Sequence, residues 1–198
     1  MSDAEVTLYT DYKSPFAYLA MAPAFALEDE FAITVDWLPF TLDIPSFMGS
    51  VEERSEAQWR KVKYAYMDAR RWANKRGLTV RGPRRIYDSS PASIGLIYAK
   101  DAGVARAYSE LLFPRFWQHE LEVDDIDAVA RCLAEAGADA AGFAGFLAGE
   151  GRRRHDEIQE QARRAGVFGV PTFIFEGELF WGYDRIDLLR ERLAAAAA

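Results

Sequence analysis

The run Gly166-Val-Phe-Gly-Val-Pro-Thr-Phe-Ile-Phe-Glu-Gly-Glu-Leu-Phe-Trp-Gly-Tyr-Asp-Arg-Ile-Asp187 decides the architecture, because it holds a helix stop, a proline turn, two strands and a new helix start. Gly166 and Gly169 end a polar helical pattern. Val170 must be extended, since the ring of the following proline clashes with an α conformation. Residues Thr172 to Phe175 are β-branched or aromatic and suit a pleated, half-buried surface. Glu176-Gly177 then fits a two-residue hairpin turn, with glycine supplying positive φ, and Glu178 to Trp181 is the return strand. Gly182 breaks that strand, and Asp184 stands where an N-cap is expected for a helix with Ile186, Leu188, Leu189 and Leu193 on its apolar face.

Working outward, the N-terminal segment supplies the matching half. Val6 and Leu8 alternate with Thr7 and Tyr9 in a strand ending at Asp11, and Ser14-Pro15 reads as an N-cap with proline at the first helical position. That helix runs to about Glu30, and Ile33, Val35 and Trp37 alternate in a second strand closed by Pro39. Strand–helix–strand crossovers are right-handed, so the first two strands are predicted to be parallel neighbours. The two halves together predict an α/β chain with a thioredoxin-like fold, discontinuous over 1–39 and 166–198. Residues 40–165 show helical periodicity almost throughout and are expected to form an inserted all-helical domain. Its clearest helix is Ala57 to Arg76, with Trp59, Val62, Tyr66, Ala69 and Ala73 on one stripe and Lys61, Tyr64, Asp68 and Arg71 on another. Further helices are predicted at about 92–102, 104–117, 125–136 with Asp124 as cap, 140–148 and 152–165.

Composition narrows the function. Half of the 198 residues are hydrophobic, enough for a packed core. A net charge of -7 argues against a general nucleic-acid binder, and Arg152-Arg153-Arg154, the one basic run, reads as a solvated helix start. A single cysteine, Cys132, excludes a CxxC dithiol pair and is expected to be a buried, inert thiol. His119 and His155 have neither a histidine at i+4 nor cysteine neighbours, so no metal site is expected. The N-terminus is acidic without an apolar segment, and no window reaches membrane-spanning length, so a soluble, cytoplasmic protein is expected.

Two places converge in a thioredoxin-like fold: the start of the first helix and the loop carrying the proline before the third strand. Here they are Ser14 and Val170-Pro171, and that loop predicts a cis peptide at Pro171. A helix N-terminus offers free N–H groups and partial positive charge, which suit a thiolate. With no cysteine there, the thiolate must arrive on a ligand.

Asp11-Tyr-Lys-Ser-Pro-Phe-Ala-Tyr-Leu19, Gly166 to Phe173, Phe180 to Arg185 and the Lys61, Tyr64, Asp68 pattern together resemble the 2-hydroxychromene-2-carboxylate isomerases and kappa-class glutathione transferases. The resemblance covers nearly the whole chain and implies glutathione as cofactor. It implies Ser14 as the catalytic hydroxyl that bonds the glutathione sulfur, and Val170 as the backbone partner of its cysteinyl part, beside Pro171. Asp184, next to Tyr183, corresponds to the carboxylate that holds the γ-glutamyl amine, and Lys61 to a basic residue near the active site. The chain departs from its relatives in Ser50-Val-Glu-Glu-Arg-Ser55, where many supply an asparagine, and in Tyr183, where the kappa class has a small residue. Trp59, Tyr64, Phe113, Phe116 and Trp117 either line an aromatic-binding pocket or fill the helical core. Lys61, or Arg84 or Arg85, is the candidate anchor for a substrate carboxylate. An isomerase, a transferase and a catalytically silent binding module remain open, and a homodimer is expected from the family alone.

Overall fold

The computed structural model describes residues 4–197. A four-stranded sheet lies at its centre, built from β1 (Ala4–Thr10), β2 (Ile33–Pro39), β3 (Thr172–Phe175) and β4 (Glu178–Trp181) in the order β2-β1-β3-β4. β1 and β2 are parallel, with Val6 opposite Val35 and Leu8 opposite Trp37. They are joined by α1 (Pro15–Glu30), the crossover helix that parallel neighbours require. β3 runs antiparallel to both β1 and β4. Its hairpin with β4 closes through Glu176 at φ 49° and Gly177 at φ 81°, the pair of positive φ values of a type I′ turn. The last helix, α9 (Ile186–Ala196), packs back on α1 and β4. This is the thioredoxin-like arrangement that the two ends of the sequence predict.

Between β2 and β3 the described residues are helical: α2 (Ile44–Met48), α3 (Glu56–Lys75), α4 (Ser90–Asp101), α5 (Ala105–Trp117), α6 (Ile126–Ala136), α7 (Phe143–Ala148) and α8 (Glu150–Arg164). Both α4 and α8 pack on β2, while α3 and α5 pack on α1. α1 is therefore covered on several sides, and Ala17, Tyr18, Leu19, Ala20, Ala24, Phe25 and Leu27 are all buried. Phe25 stacks on Trp37 at 4.7 Å, and Tyr18 on Phe113 at 5.5 Å, so the sheet, α1 and α5 share one continuous core.

Several local expectations are corrected. Asp184 caps no helix: it lies in a single 3-10 turn, Tyr183–Arg185, that precedes α9, and its carboxylate pairs with Arg185 at 2.7 Å. The cap of α6 is Asp125, whose side chain accepts from Ala128 N, whereas Asp124 pairs with Arg85. The short α2, capped by Asp43, has too few residues to show a period and was not expected. Arg152 and Arg154 are not merely solvated. Arg152 donates to Ser90 Oγ at 3.0 Å and Arg154 grips Asp101 with both guanidinium nitrogens, so the basic run docks α8 against α4. On α3 only Ala69 and Ala73 of the predicted apolar stripe are fully buried.

Candidate active site

The turn between β1 and α1 is where the two halves meet. Ser14 caps α1: its Oγ accepts from Ala17 N at 3.2 Å, and Pro15 fills the first helical position, where no N–H is needed. The same Oγ donates to the Val170 carbonyl at 3.3 Å, across 156 residues of sequence. Val170–Pro171 is cis, as the loop predicts. Around it, Thr172 Oγ1 donates to Gly169 O at 2.7 Å and Gly182 N donates to Pro171 O at 2.9 Å, which ties the proline loop to both strands of the hairpin. Gly169 is needed for close approach, because a Cβ there would lie 2.7 Å from Trp181 Nε1. Trp181 and Phe168 pair at 4.7 Å beside this loop, and both are exposed.

A serine hydroxyl has one proton to give. In this structure that proton is committed to Val170 O, while the oxygen's acceptor capacity serves the helix cap. Rotation about the Cβ–Oγ bond would redirect that hydrogen bond and leave Val170 O open to another donor.

Tyr183 belongs to the wall of this region. Its ring stacks on Phe16 at 5.7 Å and 10°, meets Trp72 edge-on at 5.4 Å, and lies under the Arg76 guanidinium at 5.6 Å. Burial pushes its phenol above the ordinary value, and the charges of Asp68 and Asp184 push it the same way. The cluster thereby links α3 to the first turn of α1 and to Asp184. Ser14, Val170 and Pro171 are brought into direct contact, with Tyr183 and Asp184 alongside through Phe16. Lys61 is not. It is exposed on α3 and makes no hydrogen bond or ion pair with the described residues.

Phe113, Phe116 and Trp117 are buried in the core. Trp59 is half-buried under Arg54, and Tyr64 is 58% exposed on the charged face of α3. Arg85 is unavailable to a substrate, because it holds Asp124 at 2.6 and 2.9 Å and Glu122 at 2.7 Å. Arg84 stays exposed at a small indentation that it shares with Arg81, Tyr87, Phe116 and His119. Cys132 is buried in α6, its thiol pushed up by burial despite Arg115 Nη1 at 3.5 Å. His155 is buried between Thr41, Asp156 and Gln159, and burial lowers its pKa. Among the described residues no group of three or more His, Cys, Asp or Glu side chains could hold a metal, and no helix is long and apolar enough to cross a membrane.

Reading the sequence missed Asp11 and Lys13, which flank Tyr12 just before Ser14. Asp11 is fully buried and accepts from Leu42 N at 2.8 Å and Lys13 N at 3.2 Å, while Lys13 Nζ donates to Tyr87 O at 3.2 Å. The available signal was the placement of two opposite charges in a strand-to-helix turn.

Comparison with known proteins gives the same fold. The model of the DSBA-like thioredoxin domain family matches residues 5–194. The 2-hydroxychromene-2-carboxylate isomerase of Pseudomonas putida is 29% identical over 190 residues, covering 95% of this chain and 93% of that one. The enzyme of the same name from Sphingobium xenophagum is 28% identical over 194 residues, covering 95% and 97%. A solved structure of a 2-hydroxychromene-2-carboxylate isomerase superposes with a TM-score of 0.81 at 28% identity, over 98% of this chain and 96% of that chain.

Proposed function

Because the chain belongs to the DSBA-like thioredoxin domain family yet presents a serine rather than a thiol at the start of α1, we propose that it is a glutathione-dependent isomerase. Its substrate is 2-hydroxychromene-2-carboxylate or a related aromatic-derived acid, the compound class named for the relatives. The observation that carries the reading is the Ser14 hydroxyl, seated at a helix N-terminus and hydrogen-bonded to the carbonyl that precedes a cis proline.

The donor set fits a bound thiolate. Ser14 Oγ–H and the positive end of the α1 dipole favour a negative sulfur over a neutral one. The Val170 backbone is placed to pair with an extended peptide ligand, in the manner of a short added strand. Asp184 keeps an exposed carboxylate for an ammonium group, since its partner Arg185 is itself half-exposed. Glutathione supplies, when bound, a nucleophile that is returned unchanged at the end of the turnover. For the substrate carboxylate the chain offers Arg84, exposed beside Tyr87. Lone, buried Cys132 gives the protein no dithiol with which to exchange disulfides.

The test incubates the protein with catalytic glutathione and 2-hydroxychromene-2-carboxylate while following the ultraviolet spectrum and free thiol together. Spectral change with thiol conserved is expected. Thiol loss equal to substrate loss would make the protein a transferase, and no spectral change would make it a binding module.

A further inference from the structure

Ser14 does not stand alone at the start of α1. The backbone carbonyl of Asp11 accepts the Ser14 N–H at 2.9 Å, so the Asp11 side chain and Ser14 belong to one tight turn. Asp11 shows no exposed surface, and a carboxylate so enclosed would place a full negative charge beside the very helix end proposed to hold a thiolate. Lys13 Nζ lies 3.7 Å from Asp11 Oδ2, with its own side chain 8% exposed. Two opposite charges buried 3.7 Å apart are costly to desolvate, and the Lys13 and Leu42 N–H groups on Asp11 and the Tyr87 carbonyl on Lys13 offset that cost only in part.

We propose that Lys13 is a positioning residue whose charge cancels that of Asp11, so that the N-terminal end of α1 stays able to hold an anion at Ser14. The inference rests on the glutathione reading above and adds to it the electrostatic balance of the turn. The other groups facing the pair do not replace Lys13. From the loop after β2, exposed Asp43 is held by Ser46 and feels the charge of Lys13 itself ahead of that of Arg163 in α8, so it draws on the same cation and supplies none. From the segment before α4, Tyr87 contributes its carbonyl, and the Asp88 carboxylate is occupied by Ser90. From α5, Ser109 meets the Tyr12 hydroxyl at 3.0 Å and carries no charge. Lys13 also spans from the turn to Tyr87 while Asp11 reaches Leu42, so the same pair fixes the two segments on either side.

The measurement is the pKa of the thiol of bound glutathione, read from thiolate absorbance near 240 nm as pH is varied. At an effective dielectric of about 20, adding or removing one unit charge beside a site shifts a neighbouring ionisation by about one unit or more. Lys13→Met is expected to raise the bound thiol's pKa by about that much and Lys13→Arg to leave it near wild type. Asp11→Asn, which keeps an acceptor for Leu42 N, is expected to lower it, and the Asp11→Asn/Lys13→Met double variant to return close to wild type. Opposite shifts of the single variants cannot come from a merely loosened turn. Shifts in the same direction, or no shift in either, overturn the inference. Should Lys13→Met fail to fold, the Asp11→Asn arm decides alone, and an unshifted or raised pKa there overturns it equally. Calorimetric titration of the wild type separates the two levels: absence of glutathione binding refutes the proposed function, whereas binding with unshifted variants refutes only the role of Lys13.

Discussion

Replacing Ser14 by alanine removes an oxygen that does two things in the structure and a third in the proposed reaction. As N-cap it accepts from Ala17 N, and losing such a cap costs about 1 kcal/mol. As donor to Val170 O it closes α1 against the proline loop, and losing a neutral buried bond costs about 1 kcal/mol more. For a chain of this length each kcal/mol lowers Tm by about 2–4 °C, so Ser14→Ala should melt about 4–8 °C below wild type. On the chemistry, a hydrogen bond to a charged sulfur is worth about 1.5–3 kcal/mol, which sets the fall in turnover at tenfold to over a hundredfold. Ser14→Thr keeps the oxygen and should recover most of the melting temperature, which assigns the loss in alanine to the hydroxyl. Thermal circular dichroism gives the first number, and the pH dependence of turnover at saturating glutathione gives the second. The limb that reports thiol ionisation should move to higher pH in Ser14→Ala, because the thiolate loses the hydrogen bond that stabilises it relative to the neutral thiol. A variant that melts lower but turns over on an unchanged pH profile would reduce Ser14 to a cap and refute the reasoning.

Gly95 in α4 has no room for a side chain: a Cβ there would sit 2.3 Å from Tyr108 Oη and 2.9 Å from Val129 Cγ1. Gly95→Ala should therefore break the bond from Tyr108 to Ala92 O and cost about 1–3 kcal/mol or more, seen as a lowered denaturant midpoint; an unchanged midpoint would mean the helix pair slides freely. Burial lowers the pKa of His155 below its ordinary 6.5, so the unfolded chain binds the proton more readily than the folded one. Stability is fully present above pH 6.5 and should decline as pH falls through 6.5 toward the lower folded value, a decline that His155→Gln should flatten and that urea titrations at several pH values can read. Cys132, enclosed in α6 with its thiol pushed up, should react with a thiol reagent only at the rate of unfolding. Cys132→Ala should retain turnover, and loss of activity in that variant would contradict the inert role.

What could be read from the chain alone was what local chemistry decides. Alternation marked the strands, and proline and glycine marked their ends; the hairpin at Glu176-Gly177 and the cap at Ser14 were legible because each is settled within four residues. Asp184 was misread for the same local reason. An acid one turn before an apolar run looks like a cap, but Gly182 at φ 111° sends the chain through a 3-10 turn first, which moves the true helix start to Ile186. Arg152 and Arg154 looked solvated because Ser90 and Asp101, their partners, lie 62 and 53 residues away. The charged stripe of α3 was visible as a period, yet a period says only that Lys61 and Tyr64 share a face, not that the face meets the site. Asp11 and Lys13 mark the limit most plainly. Within their own turn they read as polar punctuation, and only the fold, by bringing Leu42 and Tyr87 to them, buries both charges next to Ser14 and makes their balance a property of the site.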